Sequence, residues 1–190
     1  MTRSFVPDHP VDPALLDSMV DLASRSPSAG KTQGWHLVVL EGDDTRRFWD
    51  VTLPAERRTS FAWPGLLSAP VIALPLADPQ AYVERYAESD KAGTGWGVGA
   101  EVWPAPYWTI DSSMAVMTLL LAAEEVGLGA LFFAVSRNEA LLREGLGIPD
   151  RLQLLGAIAL GWPDPEATRA GRSAHRSRHG PEQIIHRGRW

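Results

Sequence analysis

Residues 12–40 read DPALLDSMVDLASRSPSAGKTQGWHLVVL, and this stretch decides the fold class. Asp12 before Pro13 is a helix start, because the carboxylate caps free N–H groups and proline suits the first helical position. Leu15, Leu16, Met19, Val20, Leu22 and Ala23 then recur with helical period, so a helix is expected to about Arg25. Ser26-Pro27-Ser28-Ala29-Gly30 breaks it, and the valine-rich run Trp35–Leu40 reads as a buried strand.

The same alternation continues in both directions from that unit. Asp43 and Asp44 open a short helix around Arg46–Trp49, and a further short helix is expected before Pro70. Strands are expected at Val71–Leu76, Ala130–Val135 and Leu152–Leu160. Helices are expected at Pro79–Ala87, Trp108–Val126 and Asn138–Leu146. The helix before Gly127 carries apolar residues on so many sides that it should be buried nearly all round. Residues 88–106, with four glycines and two prolines, read as a long surface loop. The tail closes with a β-prone piece, Gln183–His186. No internal repeat is visible, and the whole is a single α/β layered domain over residues 1–190.

Composition narrows the chemistry. The 190 residues include no cysteine, which removes disulfides, thiolate metal sites and cysteine nucleophiles. A net charge of −5 argues against nucleic acid as partner. No apolar run approaches the length of a bilayer span, and MTRSFVPDHP lacks the apolar core of a signal peptide, so a cytoplasmic protein is expected. The acidic body ends in a basic arm, residues 169–190, with six arginines against Glu182 alone. Such an arm is either a solvated terminus or a local anion site.

Several motifs fail on inspection. Ala29-Gly30-Lys31-Thr32 resembles the end of a phosphate-binding loop, but Arg25 stands where its first glycine belongs, and the helix precedes rather than follows. Gly93, Gly95, Gly97 and Gly99 have no strand before them and make no dinucleotide fingerprint. His175 and His179 sit among arginines without a carboxylate, so no metal is expected. No Gly-x-Ser-x-Gly elbow is present.

Three features remain: the Ser26–Trp35 loop, the apolar helix running into Gly127-Leu128-Gly129-Ala130-Leu131-Phe132-Phe133, and the basic tail ending at Ile184-Ile185-His186-Arg187-Gly188-Arg189-Trp190. In this order and spacing the chain resembles the FMN-dependent nitroreductase family from Arg3 to Trp190. Arg3-Ser4-Phe5 matches the family's N-terminal flavin motif, and Ser26, Pro27, Ser28 and Gln33 fall on its flavin-side loop. Phe133 and Ala134 fall where a backbone N–H faces flavin N5, Gly161-Trp162-Pro163 stands for the usual Gly-Tyr-Pro, and Arg176 and Arg178 match the pair that holds the FMN phosphate. Lys31 replaces the usual asparagine, Gly34 the usual proline, and Phe61–Pro64 is apolar where polar residues commonly reach the flavin.

The resemblance implies a central, mostly antiparallel sheet flanked by helices, and an intertwined homodimer with FMN at the interface. It implies a ping-pong cycle in which NADH or NADPH reduces FMN and a flat electron-poor acceptor, nitroaromatic or quinone, reoxidises it. Arg3 or Lys31 would stabilise the negative charge gained at N1/O2, and Trp96 in the 88–106 loop would serve as a lid. Two other readings stay open: an FMN-storing protein without turnover, and an enzyme that uses reduced flavin with oxygen.

Overall fold

The computed structural model describes residues 1–167, 171 and 173–190. Helix α1, Pro13–Ser24, starts where the sequence places it, with the Asp12 carboxylate accepting from the Ala14 N–H at 2.9 Å. Strand β1, Trp35–Glu41, is followed by α2, Asp43–Thr52, which extends beyond the expected turn on the strength of two N-terminal aspartates. A single helical turn, α3, Ala55–Arg58, and a 3-10 turn at Pro64–Ser68 lead into β2, Val71–Ala77. Helix α4 spans Pro79–Ala87, and α5 spans Tyr107–Glu125. Strand β3, Gly129–Phe133, precedes α6, Glu139–Leu146.

The remaining strands correct one expectation. The run Leu152–Leu160 is two strands, β4, Gln153–Leu154, and β5, Ala157–Gly161. Both pair with β2, but the register shifts by one residue between Leu76↔Leu154 and Ala73↔Ile158. The cause lies across the sheet. Pro75 in β2 has no N–H to give, and the extra residue on the facing chain forms a bulge at Leu155-Gly156. Gly156 takes φ 147°, and a Cβ there would stand 2.6 Å from the Phe133 carbonyl oxygen.

The sheet runs β1-β2-β5-β3 with every pairing antiparallel, as the resemblance implied. Alternation along the strands divides the core in two. Ile72, Leu74, Leu76, Leu131 and Ala159 face α2 and α6, and pack on Phe48, Trp49 and Leu142. Val71, Ala73, Ile158 and Leu160 face α1 and α5, and pack on Leu16, Met19, Val116 and Leu119. The molecule is therefore a three-layer stack, helices on both faces of one sheet.

Two further expectations change. Gln183–His186 is not a strand. Pro181 opens a short helix, α7, Pro181–Ile184, and the Gln183 side chain accepts from the Gly180 N–H at 3.0 Å; proline at the first position and glutamine at the third outweigh the isoleucine pair. Nor is α5 buried all round within one chain. Ala115, Val116, Leu119 and Ala123 are buried, while Ile110, Met114, Met117 and Leu121 form an exposed apolar stripe at spacings of four, three and four.

Candidate functional site

The Ser26–Gln33 loop is held in an unusual backbone. Gly30, Lys31 and Gln33 all have φ near +54° to +61°, a region that costs a residue with a side chain about 1–2 kcal/mol. Neighbours impose the shape. The Ser26 and Thr118 hydroxyls share a hydrogen bond of 2.8 Å, the Gln33 N–H donates to Ser28 Oγ at 3.0 Å, and Gln33 Nε2 donates to the Ser24 carbonyl at 3.3 Å. The Ala29 N–H donates to Asp111 Oδ2 at 2.7 Å. Pro27 and Lys31 are exposed, and with Ser26, Ser28 and Gln33 they line an open cavity of about 490 Å³. Gly34 is buried, and a Cβ there would stand 2.7 Å from the Tyr82 ring, which favours glycine where the resemblance has proline.

Arg3 lies elsewhere. Its guanidinium stacks over Trp63, 5.0 Å from the ring centre, and lies against Gly171 of the arm, where a Cβ would be 3.0 Å away. Arg3, Ser4 and Ala62–Gly65 line a cavity of about 210 Å³, and Ser4 Oγ donates to Asp164 Oδ2 at 3.2 Å. This cavity shares Ala62 with a second one of about 330 Å³, walled by Phe48, Trp49, Phe61, Phe133 and Ala134. Trp49 and Phe133 stack in parallel with ring centres 5.9 Å apart. Ala134, the first residue beyond β3, is exposed, and its N–H donates to no described residue.

The structure thus brings Arg3, Phe133 and Ala134 together along two adjoining cavities. It does not bring the Ser26–Gln33 loop to them. Phe133 packs on the α2 face of the sheet, whereas the loop is pinned to α5 on the opposite face. Arg176 and Arg178 are exposed, with no side-chain partner among the described residues. Arg169 and Arg172 of the expected arm lie outside the described residues. Residues 88–106 form three 3-10 turns rather than an open loop. Trp96 is half-buried there, stacked on Tyr86 at 5.5 Å, and its carbonyl accepts from Trp103 Nε1 at 3.0 Å.

Sequence reasoning missed Asp111 and Tyr82. Asp111 is buried on α5, and Tyr82 donates to the same Oδ2 that holds Ala29, at 2.9 Å. Burial first, and this hydrogen bond second, push the Tyr82 hydroxyl well above its ordinary pKa. The available signal was an aspartate inside an otherwise apolar helix.

A model of the nitroreductase family matches residues 1–162. The chain belongs to the nitroreductase family. It is 27% identical over 179 residues to an NADH dehydrogenase/NAD(P)H nitroreductase of Archaeoglobus fulgidus, covering 92% of this chain and 85% of the relative. It is 25% identical over 195 residues to a 4-nitrobenzoate reductase of Pseudomonas putida, covering 87% of this chain and 82% of that enzyme. Among solved structures, the FMN-dependent nitroreductase of Clostridium difficile superposes with a TM-score of 0.66 at 20% identity, over 100% of this chain and 94% of that one. The fold is that of the family, and membership makes this chain an oxidoreductase of the nitroreductase type. No described helix is long and apolar enough to cross a membrane, and no described acidic, histidine or cysteine cluster is arranged to hold a metal.

Proposed function

We propose that this nitroreductase-family chain works as an FMN-dependent oxidoreductase that takes electrons from NADH or NADPH and passes them, ping-pong, to a flat electron-poor acceptor. One observation carries the reading. The Ala134 N–H, which donates to no described residue, stands beside an aromatic-walled cavity that adjoins, through Ala62, a second cavity edged by the Arg3 cation. An elongated ligand with a planar head and an anionic tail fits that sequence of groups. FMN, when bound, supplies the two-electron chemistry; the protein supplies orientation and charge.

Within this reading, the Ala134 N–H would donate to the flavin ring, Phe133 would pack behind it, and Arg3, Arg176 and Arg178 would hold the phosphate. The Ser26–Gln33 loop completes the site from a second copy of the chain, since its own Phe133 lies across the sheet. Lys31 then brings positive charge to the N1/O2 edge. The apolar α5 stripe of Ile110, Met114, Met117 and Leu121 is the natural seat for that second copy. Trp96, held by Tyr86 and Trp103, acts as a fixed cover over the acceptor rather than a swinging lid. The 4-nitrobenzoate reductase among the relatives supports a nitroaromatic acceptor.

The phosphate assignment is tested by replacing both Arg176 and Arg178 with alanine. Charge-assisted hydrogen bonds contribute about 1.5–3 kcal/mol each, so FMN affinity should fall by roughly a hundredfold or more. Riboflavin, which lacks the phosphate, should bind the double variant as it binds wild type. Equal losses for both ligands would remove the pair from the phosphate site.

A further inference from the structure

One face of α4 touches both the strained loop and the 88–106 segment. Tyr82, Arg85 and Tyr86 stand at spacings of three and four, so their side chains share that face. Tyr82 reaches the loop through Asp111, which also grips the Ala29 N–H. The Tyr86 ring lies directly under Gly30, where a Cβ would be 2.9 Å from Cε2, and its other contacts include the stacked Trp96 of the segment. Arg85 makes the most direct connection. Its Nε donates to the Gly30 carbonyl at 2.9 Å. Its two terminal nitrogens donate to the two oxygens of Asp90 at 2.7 and 2.8 Å, and one of them also reaches Glu88 at 3.1 Å.

We propose that Arg85 is a positioning residue that clasps the flavin-side loop to the 88–106 segment, so that the loop's binding geometry and the segment's packing are set together. The argument is one of geometry and cost. A backbone with Gly30, Lys31 and Gln33 in the left-handed region relaxes unless its surroundings over-determine it. Arg85 is suited to that task because a planar guanidinium makes a bidentate grip on a carboxylate and still has Nε free for a carbonyl. A lysine, with one point charge, cannot satisfy Gly30 and both Asp90 oxygens at once. Coupling of this kind is reciprocal: whatever orders the loop also orders the segment, and disturbing Asp90 disturbs Gly30. The clasp rests on the proposed function only in assigning the loop to flavin.

Hydrogen exchange of the full-length protein, with and without FMN, tests it in wild type, Arg85→Ala, Arg85→Lys and Asp90→Asn. In flavin-free protein, Arg85→Ala should speed exchange at residues 28–34 and 92–98 together, and Asp90→Asn should speed it at residues 28–34 although that residue does not touch the loop. FMN should bind Arg85→Ala about tenfold more weakly, with an altered visible circular dichroism of the bound flavin and an unchanged thermal midpoint. Arg85→Lys should fall between alanine and wild type. An Asp90→Asn variant with wild-type exchange at residues 28–34 would overturn the coupling, and unchanged FMN affinity in Arg85→Ala would overturn the positioning role. A wild-type chain that binds no FMN would remove the functional reading instead, while the flavin-free exchange rates would still decide whether the clasp exists.

Discussion

Asp111 shows how much one buried carboxylate organises. A single oxygen accepts from Ala29, on the Ser26–Gln33 loop, and from Tyr82, on α4. Because Tyr82 holds its proton well above its usual range in the folded state, the folded chain binds more protons than the unfolded one once pH passes about 10. The stabilisation is therefore fully present below that pH and is lost as pH rises. Urea midpoints measured from pH 8 to 11 should fall at the alkaline end, and Tyr82→Phe should flatten that decline while lowering stability at neutral pH by about 1 kcal/mol. The loop's sequence was readable as turn-forming, but its anchors were not. Asp111, Tyr82 and Arg85 lie more than fifty positions away from it or on a separate helix, and nothing in local composition says which residues meet.

At the level of elements, β1, β2, β3 and α1 were legible because a buried strand needs a short β-branched run and a half-buried helix needs apolar residues three and four apart. The bulge was not legible, because its cause, Pro75, acts on the strand that faces it rather than on its own neighbours. Gly156 is the residue that permits it. Gly156→Ala places a methyl group 2.6 Å from the Phe133 carbonyl in a backbone region closed to side chains, so it should destabilise the fold by about 2–3 kcal/mol. Chemical denaturation reads this directly. An unchanged midpoint would mean that the β4–β5 junction relaxes freely. The tail differs for a similar reason: two isoleucines suggest a strand, but among the described residues no strand pairs with them, and Pro181 opens a helix instead.

For the whole molecule, the division of the site is the main lesson. Sequence order places Arg3, the Ser26–Gln33 loop, Ala134 and the Arg176/Arg178 pair on one chain, yet a three-layer fold separates the loop from Ala134 by the thickness of a sheet. A second copy seated on the α5 stripe, as proposed above, would resolve that separation. Sedimentation should show a dimer at micromolar concentration, with an interface on the order of several thousand Å². Met117→Glu together with Leu121→Glu, placing two charges on the exposed stripe, should shift the protein toward monomer and reduce FMN binding in parallel. Monomer that still binds FMN at wild-type affinity would show that one chain holds the cofactor alone.

The central claim, that this nitroreductase-family chain transfers electrons from a nicotinamide donor through a bound flavin, is tested most directly by one anaerobic measurement. Protein loaded with FMN is mixed with NADH, and separately with NADPH, while the visible flavin absorption is followed; a nitroaromatic or quinone is then added. The account predicts bleaching within seconds by at least one donor, and return of the colour on addition of the acceptor. A yellow protein indifferent to both donors, or one whose bleached flavin is restored by oxygen but by neither acceptor, would contradict it.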